Sequence, residues 1–479
     1  MLAAVVLFRL AGALVVSHPG YTDAYYYFEA AQRLARGEGL SVDFVWNFLE
    51  APGFPALPIP SHRFWMPLAS ALQAGAIATL GGLIGAFGAA QAATSLVALA
   101  IPLVAYLAAR RLGAAAELAA LAGFIAGLGG AYAAAWSSLD NFAPVALLGT
   151  VLLSSLDGAA RGARREVVAV GLALGGLALA RADGALYALA FLVFPRRASL
   201  AAAALAVAVA APWYARDLLL GAPEGQLART LFLVRYEDFF RLAPPDPARY
   251  LAAWPAALGE KLAAAGTTAG TFLLATLVLL GPLALWWAWR ARQRATARGW
   301  LVVAVALWLA QSLAFTLHST RGSFSHSFAG LMPMAVVLGL QGGAALLVSA
   351  SPGARRAAGL ALAAGALAVS VFALALWRES FDPPLADRRA IVATGSVATP
   401  ALVVDAAAWR AVLDGPTLVT PADGVEAARE VARRYGARTL VLERSHFSAY
   451  DALYDGQQRL AWLELVASER GIVVWRILP

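Results

Sequence analysis

Residues 272–294 read FLLATLVLLGPLALWWAWRARQR, a long apolar run that ends in several arginines. A run of this length can cross the hydrocarbon core of a bilayer as an α-helix. The arginines at its end mark the cytoplasmic side, because short cytoplasmic loops are enriched in Lys and Arg. Similar apolar runs of about 16 to 24 residues recur along the chain, separated by short arginine-bearing loops. This pattern predicts a polytopic α-helical membrane protein.

The composition agrees with that fold class. Of 479 residues, 61% are hydrophobic and 14% are charged, and the mean hydropathy is +0.68, so most of the chain must face lipid. The formal net charge is +8, and the basic residues are spread through short loops between the apolar runs. They form no basic patch interleaved with aromatic residues. The charge therefore indicates membrane orientation and no nucleic-acid partner. The absence of cysteine excludes disulfides and zinc–cysteine sites.

Five arginine clusters orient the chain in the membrane. Under the positive-inside rule all of them are cytoplasmic; they are Arg110 and Arg111, Arg161 with Arg164 and Arg165, Arg196 and Arg197, Arg290 with Arg292, Arg294 and Arg298, and Arg355 and Arg356. The N-terminus is then also cytoplasmic. The segments expected on the outer face of a prokaryotic plasma membrane are 19–66, 136–141, 181–184, 214–265, 318–327 and 379–479.

One apolar run does not fit this count as a span. Segment 67–88 begins with Pro67, contains Gln73 and is rich in glycine, which makes it a poor spanning helix. If it crossed, every later arginine cluster would lie outside, so we expect an interfacial or re-entrant helix. The spans then number about eleven: 1–18, 89–109, 114–135, 142–157, 166–181, 184–195, 198–214, 266–289, 299–317, 328–349 and 357–378. Arg9, in the first span, is expected to snorkel or to face other helices.

The pattern changes after Trp377. Apolar stretches shorten to strand length at ALVVD (401–405), TLVTP (417–421), RTLVLER (438–444) and GIVVWRIL (471–478). Helical periodicity is expected at 425–435 and 452–467. The sequence therefore predicts a membrane domain over 1–378, with a large first outer loop at 19–66, and a small extracytoplasmic α/β domain over 379–479.

The first outer loop carries a recognisable pattern. Asp23 follows the first span and is succeeded by YYYFEAAQRLARGEG (25–39) and SHRFWMPLASALQAGAIATLGG (61–82). This arrangement resembles the first loop of the GT-C superfamily of glycosyltransferases, and most of all family 39 with its protein O-mannosyltransferase and lipid A aminoarabinose transferase relatives. The segments SSLDNFAPVALLGTVLLS (137–154), GLALARADGALY (176–187) and LHSTRGSFSHSFAGLMP (317–333) resemble later segments of such proteins in the same order.

The resemblance implies an activity. Its members move a sugar from a polyprenyl-phosphate carrier to an extracytoplasmic hydroxyl, with inversion, and the loop's aspartate, here Asp23, acts as the catalytic base. The acceptor, a protein or a lipid or glycan, stays open, because the tryptophan–aspartate signature of oligosaccharyltransferases and the β-trefoil insert of eukaryotic O-mannosyltransferases are missing. No cofactor is implied, and a divalent ion held by Asp23, Asp140 and a histidine is a minor alternative. The chain itself contacts membrane lipid.

The chemistry calls for particular side chains. A base must take a proton from the acceptor, and cations must stabilise the phosphate leaving group. Asp23 suits the base. Asp140 is expected to bind the acceptor or to support the site from behind rather than to act as a second base. The candidate phosphate ligands are Arg63, Arg181, Arg216 and Arg321. Candidates for contacts to acceptor or sugar are Tyr25, Tyr26, His62, Tyr236, Asp238, His318 and His326. We expect Asp23 and Asp140 to open into one cavity with at least one of the arginines.

Several alternatives remain open from the residues alone. Thr22 or Asp23 can serve as a helix N-cap, the arginines can be interfacial anchors, and Arg181 can pair with Asp183 for structural reasons. A transporter or flippase of lipid-linked saccharide is the main competing function. The polar residues gather on one face and no repeated halves are visible, which favours an enzyme.

Overall fold

The computed structural model describes residues 2–221 and 230–479, and within these ranges the chain forms two compact units. The first unit spans residues 1–18, 65–220 and 258–377, and the second spans 19–64, 221–257 and 378–479. Three of the segments expected on the outer face, 19–66, 214–265 and 379–479, thus supply the second unit, although 222–229 lie outside the described residues. A unit boundary lies between 377 and 378, and residues 19–64 of the first loop belong to the second unit. The expected division into a membrane domain over 1–378 and an extracytoplasmic domain over 379–479 stays a prediction.

Most of the chain is helical. Before residue 221 the α-helices are α1 (Leu2–Val15), α2 (Thr22–Ala35), α3 (Leu68–Arg111), α4 (Ala116–Leu128), α5 (Phe142–Ala160), α6 (Arg164–Ala180) and α7 (Arg196–Leu219). After residue 230 they are Pro247–Ala252, Trp254–Ala275, Leu280–Arg290, Ala295–Leu309, Thr316–Ser319, Ser323–Ala329, Met332–Leu346, Pro352–Ala393, Ala406–Arg410, Val425–Tyr435 and Asp451–Tyr454. Short 3₁₀ segments lie at Gly130–Tyr132, Ala135–Ser137, Ala182–Val193, Tyr236–Phe240 and Ser448–Tyr450, with a π-helical turn at Ala310–Ala314.

The apolar helices make this an integral membrane protein. In the part of the chain that the structure describes, five helices are long and apolar enough to cross a bilayer, and seven if two bent pairs each count as one span. The five are α3, α5, α7, Ala295–Ala314 and Pro352–Ala393. Eleven spans were expected, and the difference arises where expected spans form shorter helices, such as α1 and Ala182–Val193, or are broken by a bend.

The helix α3 contains the segment expected not to span. Its backbone leaves helical geometry at Gly85, with φ 76° and ψ 159°, a conformation that glycine adopts at little cost. The break lies close to the expected boundary between 67–88 and the span 89–109. The interfacial or re-entrant course of 67–88 stays a prediction.

Arg9 shows how the first unit accommodates a charge within an apolar helix. Its side chain is buried and donates hydrogen bonds to the carbonyl oxygens of Gly127 (2.9 Å), Leu128 and Ala133 (2.8 Å). Two of these carbonyls lie at the C-terminal end of α4, where they lack helical partners. The expectation that Arg9 faces other helices is confirmed.

The second unit is built on a sheet. Within the described ranges it has six strands in the order β2-β5-β4-β6-β8-β7, with bounds β2 Phe44–Val45, β4 Ala401–Val403, β5 Thr417–Val419, β6 Thr439–Glu443, β7 Leu463–Glu469 and β8 Ile472–Ile477. Strands β2, β5, β4 and β6 are parallel, and β8 is antiparallel to β6 and β7. Every residue of β4 and β5 is buried, as expected for parallel strands covered on both faces. The first loop adds a separate pair, β1 Ser41–Val42 with β3 Ile59–Pro60.

The sheet agrees with the sequence in four strands and differs in two places. The helix expected at 452–467 is wrong: Asp451–Tyr454 forms a single turn, and Leu463–Glu469 is strand β7. A tight turn at Arg470 and Gly471, both at positive φ (56° and 72°), reverses the chain. Leu463–Glu469 therefore pairs with β8 as a strand and does not form a helix. Strand β2 was not expected, because two residues are too short for a period-2 signal.

Candidate functional site

The first unit gathers polar side chains from three of its short loops. Asp140 is fully buried just before α5 and accepts a hydrogen bond from the main-chain N–H of Asn141. The Nδ1 atom of His326 lies 3.7 Å from Asp140 Oδ1 and 3.2 Å from Asn141 Oδ1. The imidazole stacks on Phe142, with ring centroids 3.9 Å apart, and Asn141 Nδ2 donates to Ala180 O at 3.1 Å.

A second group of side chains surrounds Asp183. Arg181 forms a two-pronged ion pair with it, with N–O distances of 2.7 Å and 3.2 Å. Asp183 also accepts hydrogen bonds from Ser327 Oγ and, at 2.7 Å, from Gln311 Nε2. The Arg181 guanidinium further donates to Ser323 Oγ at 3.1 Å. The structure thus shows the mutual pair that the sequence left as an alternative for Arg181.

The helix Ser323–Ala329 joins the two groups. It carries His326 toward Asn141 and Ser327 toward Asp183. Segments 136–141, 181–184 and 318–327, all expected on one face, therefore converge in this unit. We call Asp140, Asn141, Arg181, Asp183, Gln311, Ser323, His326 and Ser327 the polar cluster.

The sequence identified some of the polar cluster and missed the rest. Asp140, Arg181 and His326 were named as candidates and Asp183 as a possible partner of Arg181, whereas Asn141, Gln311, Ser323 and Ser327 were not named. Gln311 carried a usable signal, since a polar side chain inside an apolar span is costly and is usually paired or functional. Asp140 and His326 offer a carboxylate and an imidazole, ligand types that suit divalent ions.

The other candidates in the first unit occupy different surroundings. Arg216, in the last turn of α7, lies over the ring of Trp213 at 4.4 Å, a cation–π contact. Arg321 is exposed in the turn before Ser323–Ala329. His318 is part-buried and meets Phe315 edge to face, with centroids 6.3 Å apart.

In the second unit, Asp23 lies in the first turn of α2. The N-cap is Tyr21, without a side-chain cap hydrogen bond, so the capping alternative is wrong for both Thr22 and Asp23. Thr22 Oγ1 instead donates to Asp405 Oδ2 at 2.9 Å. The role of Asp23 as the catalytic base stays a prediction.

The first loop folds around a buried carboxyl group, Glu50, that sequence reasoning missed. Glu50 accepts hydrogen bonds from Tyr26 Oη (2.7 Å), from Trp46 Nε1 and from the main-chain N–H of Arg63 (3.3 Å). The hydroxyl of Tyr26 also accepts from the His62 N–H at 2.6 Å. Burial raises the pKa of Glu50 to about 7. Tyr26 and His62 thus lie inside the loop, where they support Glu50, and their contact to sugar stays a prediction.

The remaining candidates in the second unit are also held by protein contacts. Tyr25 is 4% exposed, and burial raises its pKa to about 12. Arg63 donates to the Gly221 carbonyl at 2.9 Å. Asp238 is buried and accepts from the N–H groups of Val234 and Arg235, both at 3.0 Å, and from the Arg249 side chain at 3.0 Å.

Tyr236 belongs to an aromatic group in the same unit. Its ring stacks on Phe239, with centroids 6.2 Å apart, and Phe239 meets Trp46 at 5.7 Å and Phe64 at 5.1 Å. These contacts tie the segment around 236–240 to the first loop. Their role is to pack the unit, and a contact of Tyr236 to an acceptor stays a prediction.

Several solved structures are similar to this architecture. No protein-family model matches the sequence, and no curated protein matches it either. Among solved structures, ArnT from Cupriavidus metallidurans in the apo state is similar with a TM-score of 0.62 and 17% identity, over 99% of this chain and 98% of that one. The same enzyme bound to undecaprenyl phosphate gives 0.61 and 16%, over 99% and 98%.

A more distant likeness agrees with these two. The oligosaccharyltransferase of Archaeoglobus fulgidus, solved with zinc and sulfate, has a TM-score of 0.52 and 14% identity, over 91% of this chain and 67% of that one. These solved structures are all GT-C superfamily glycosyltransferases. Over almost its whole length, the chain therefore has the fold of a GT-C glycosyltransferase.

Proposed function

We propose that this protein is a glycosyltransferase that moves a sugar from a polyprenyl-phosphate donor to an extracytoplasmic hydroxyl acceptor. The observation that carries the proposal is the likeness to ArnT along nearly the full length of both chains, since one of those structures holds undecaprenyl phosphate. The first-loop aspartate that the sequence resemblance identifies, Asp23, lies in the first turn of α2 and is not used as a cap.

The proposed reaction is one inverting displacement. Asp23 accepts the proton of the acceptor hydroxyl as its oxygen forms a bond to the anomeric carbon. The bond from that carbon to the donor phosphate breaks, and the carrier leaves as polyprenyl phosphate. Cationic side chains stabilise the negative charge that develops on the departing phosphate.

The contacts rank the candidate arginines. Arg181 donates two hydrogen bonds to the carboxylate of Asp183, which neutralises the arginine's charge. We therefore assign Arg181 to holding the polar cluster together. Arg216 lies over the ring of Trp213, and Arg63 donates to the Gly221 carbonyl; each contact holds the guanidinium in a defined position. We propose Arg63 and Arg216 as the donor-phosphate ligands, with Arg321 as the further candidate.

The test of the proposal is Asp23→Asn. Loss of a general base costs about a hundredfold to ten-thousandfold in rate, whereas loss of a charge in a first helical turn costs only about 0.3–1 kcal/mol of stability. The variant should therefore fold, bind undecaprenyl phosphate and fail to transfer. In a deletion strain that expresses the variant, mass spectrometry of lipid-linked sugars should show the same accumulated donor as in the deletion strain without a plasmid copy of the protein.

The matched control is Asp414→Asn, the same exchange at an exposed position of the second unit, which should restore wild-type sugar levels. Normal transfer by Asp23→Asn would overturn the assignment of the base. If the accumulated saccharide were confined to the cytoplasmic leaflet, shielded from external periodate, the protein would be a flippase. Accumulation in the outer leaflet supports the transferase.

A further inference from the structure

A cavity of about 560 Å³ lies in the first unit, away from the polar cluster. Helix α5 begins at Phe142, beside Asp140, and ends at Ala160, which lines the cavity. Ser154 is the lining residue of α5 nearest to Phe142, and the helical rise between them separates the two places by about 18 Å. The volume is within the range of roughly 300–1,000 Å³ that is usual for ligand sites.

The lining of this cavity is basic. It includes Arg111, Arg161, Arg294 and Arg298, which belong to three of the five arginine clusters expected in the cytoplasm. Arg294 donates to the Leu112 carbonyl at 3.1 Å, and Arg298 donates to the Val193 carbonyl at 3.0 Å. A carbonyl acceptor orients a guanidinium without cancelling its charge, so these groups are held in place and remain cationic.

Two carboxylates also line the cavity, and both already have partners. Asp157 accepts a hydrogen bond at 3.0 Å from the N–H of Thr296, at the start of the helix Ala295–Leu309. Glu166 lies 4.0 Å from Arg111. Against four arginines these two acids leave a formal net charge of +2 on the lining, so the cavity favours an anion.

A buried hydroxyl supplies the independent sign of a ligand. Thr296 is 1% exposed, lines the cavity, and its Oγ1 has no hydrogen-bond partner among the described residues. A buried hydroxyl without a partner is costly. It also lies in the first turn of the 15-residue helix Ala295–Leu309, where main-chain N–H groups and the helix dipole favour anions.

We propose that this cavity binds the phosphate group of an anionic phospholipid. Arginine forks and helix N-termini are the groups that recognise phosphate in proteins, and basic pockets between membrane helices on the cytoplasmic side suit lipid head groups. Thr296 Oγ1 donates to a phosphate oxygen, which gives the buried hydroxyl a hydrogen-bond partner. Arg161 supplies positive charge at the solvent-exposed edge of the cavity. This site is independent of the proposed transferase reaction.

The test measures binding to the purified full-length protein after delipidation. Native mass spectrometry follows the titration of phosphatidylglycerol, with diacylglycerol as the lipid that lacks phosphate, and inorganic phosphate is titrated separately by thermal shift. Phosphatidylglycerol should bind, and diacylglycerol should not. Equal binding of the two lipids would overturn the proposal.

Two variants assign the binding to this cavity. Thr296→Val removes the hydroxyl at similar size and should weaken phosphatidylglycerol binding about tenfold or more, the effect of losing a hydrogen bond to a charged group. Arg161→Gln should weaken it about fivefold, the share of one surface arginine. Arg355→Gln, from a cluster that does not line the cavity, is the matched control and should bind like wild type.

The outcomes separate the possible sources of phosphate. Binding of phosphatidylglycerol alone, sensitive to both variants, supports a lipid head group. If inorganic phosphate binds with the same sensitivity while the lipid does not, the occupant is a soluble phosphate and the lipid source is wrong. Wild-type affinity in both variants refutes the site. Arg161 is exposed, so Arg161→Gln is expected to fold even if Thr296→Val does not.

Discussion

Glu50 is a carboxyl group placed where water cannot reach it. Three donors surround it, yet burial still raises its pKa to about 7, because desolvation disfavours the charged form more than the hydrogen bonds favour it. The folded protein therefore holds a proton on Glu50 at pH values where the unfolded chain has released it.

This shift makes the stability of the second unit depend on pH. A raised pKa means that the stabilising contribution is complete below the ordinary value of 4.5 and is lost as the pH rises through about 7. The loss is at most about 3 kcal/mol. The melting temperature of the wild type should fall between pH 5 and pH 8. That of Glu50→Gln should change less with pH, and the lost hydrogen bond from Trp46 should lower it by the same amount at every pH.

Thermal unfolding of the purified protein across that pH range measures the effect. Glu426→Gln, the same exchange at an exposed position, is the control and should keep the wild-type slope. Identical slopes for the wild type and Glu50→Gln would show that Glu50 does not titrate in this range.

At the level of elements, the polar cluster depends on close helix packing. A Cβ atom added at Gly149, in the middle of α5, would lie 2.3 Å from Gly330 O and 2.6 Å from Gly330 Cα. Gly330 follows the helix Ser323–Ala329, and a Cβ there would lie 2.2 Å from Tyr187 Oη. Two glycines thus allow the backbones to approach, as small residues do in membrane helix contacts.

We therefore expect Gly149→Ala to destabilise the first unit. Overpacking against a backbone costs about 1–3 kcal/mol, which exceeds the gain of about 1 kcal/mol from helix propensity. The melting temperature should fall. Gly266→Ala, in a helix where an added Cβ meets nothing within 4 Å, is the matched control and should be neutral or stabilising. A fall of similar size in both variants would contradict the packing argument.

For the molecule as a whole, the arginine clusters predict the membrane orientation, because all five are expected on the cytoplasmic face. The chain contains no cysteine, so single introduced cysteines report accessibility without background. Ser445→Cys should react with an impermeant maleimide added from outside intact cells. Ser351→Cys, near the cluster at Arg355 and Arg356, should react only after the membrane is opened. The reverse pattern would invert the topology and remove the extracytoplasmic site.

Local composition determined much of this protein. Apolar run length indicated membrane helices, short apolar runs located strands β4, β5, β6 and β8, and the first-loop pattern pointed to the GT-C fold that the solved structures share. The orientation that the arginines predict stays a prediction. These features depend on residues close together in the chain, so periodicity and short motifs capture them. Asp140, Arg181 and His326 could be named because each lies in a short segment expected on the outer face, at the end of an apolar run.

The partners of those residues were decided by the tertiary structure. The hydrogen bonds of Arg181 with Ser323 and of Asp183 with Gln311 join residues more than a hundred positions apart, and so does the pairing of β2 with β5. The bends that shorten the expected spans, the burial of Glu50 and the basic cavity around Thr296 also arise from packing. No local pattern records these contacts, because the free energy that favours them comes from desolvation and close approach between distant segments, which exist only once the chain is folded.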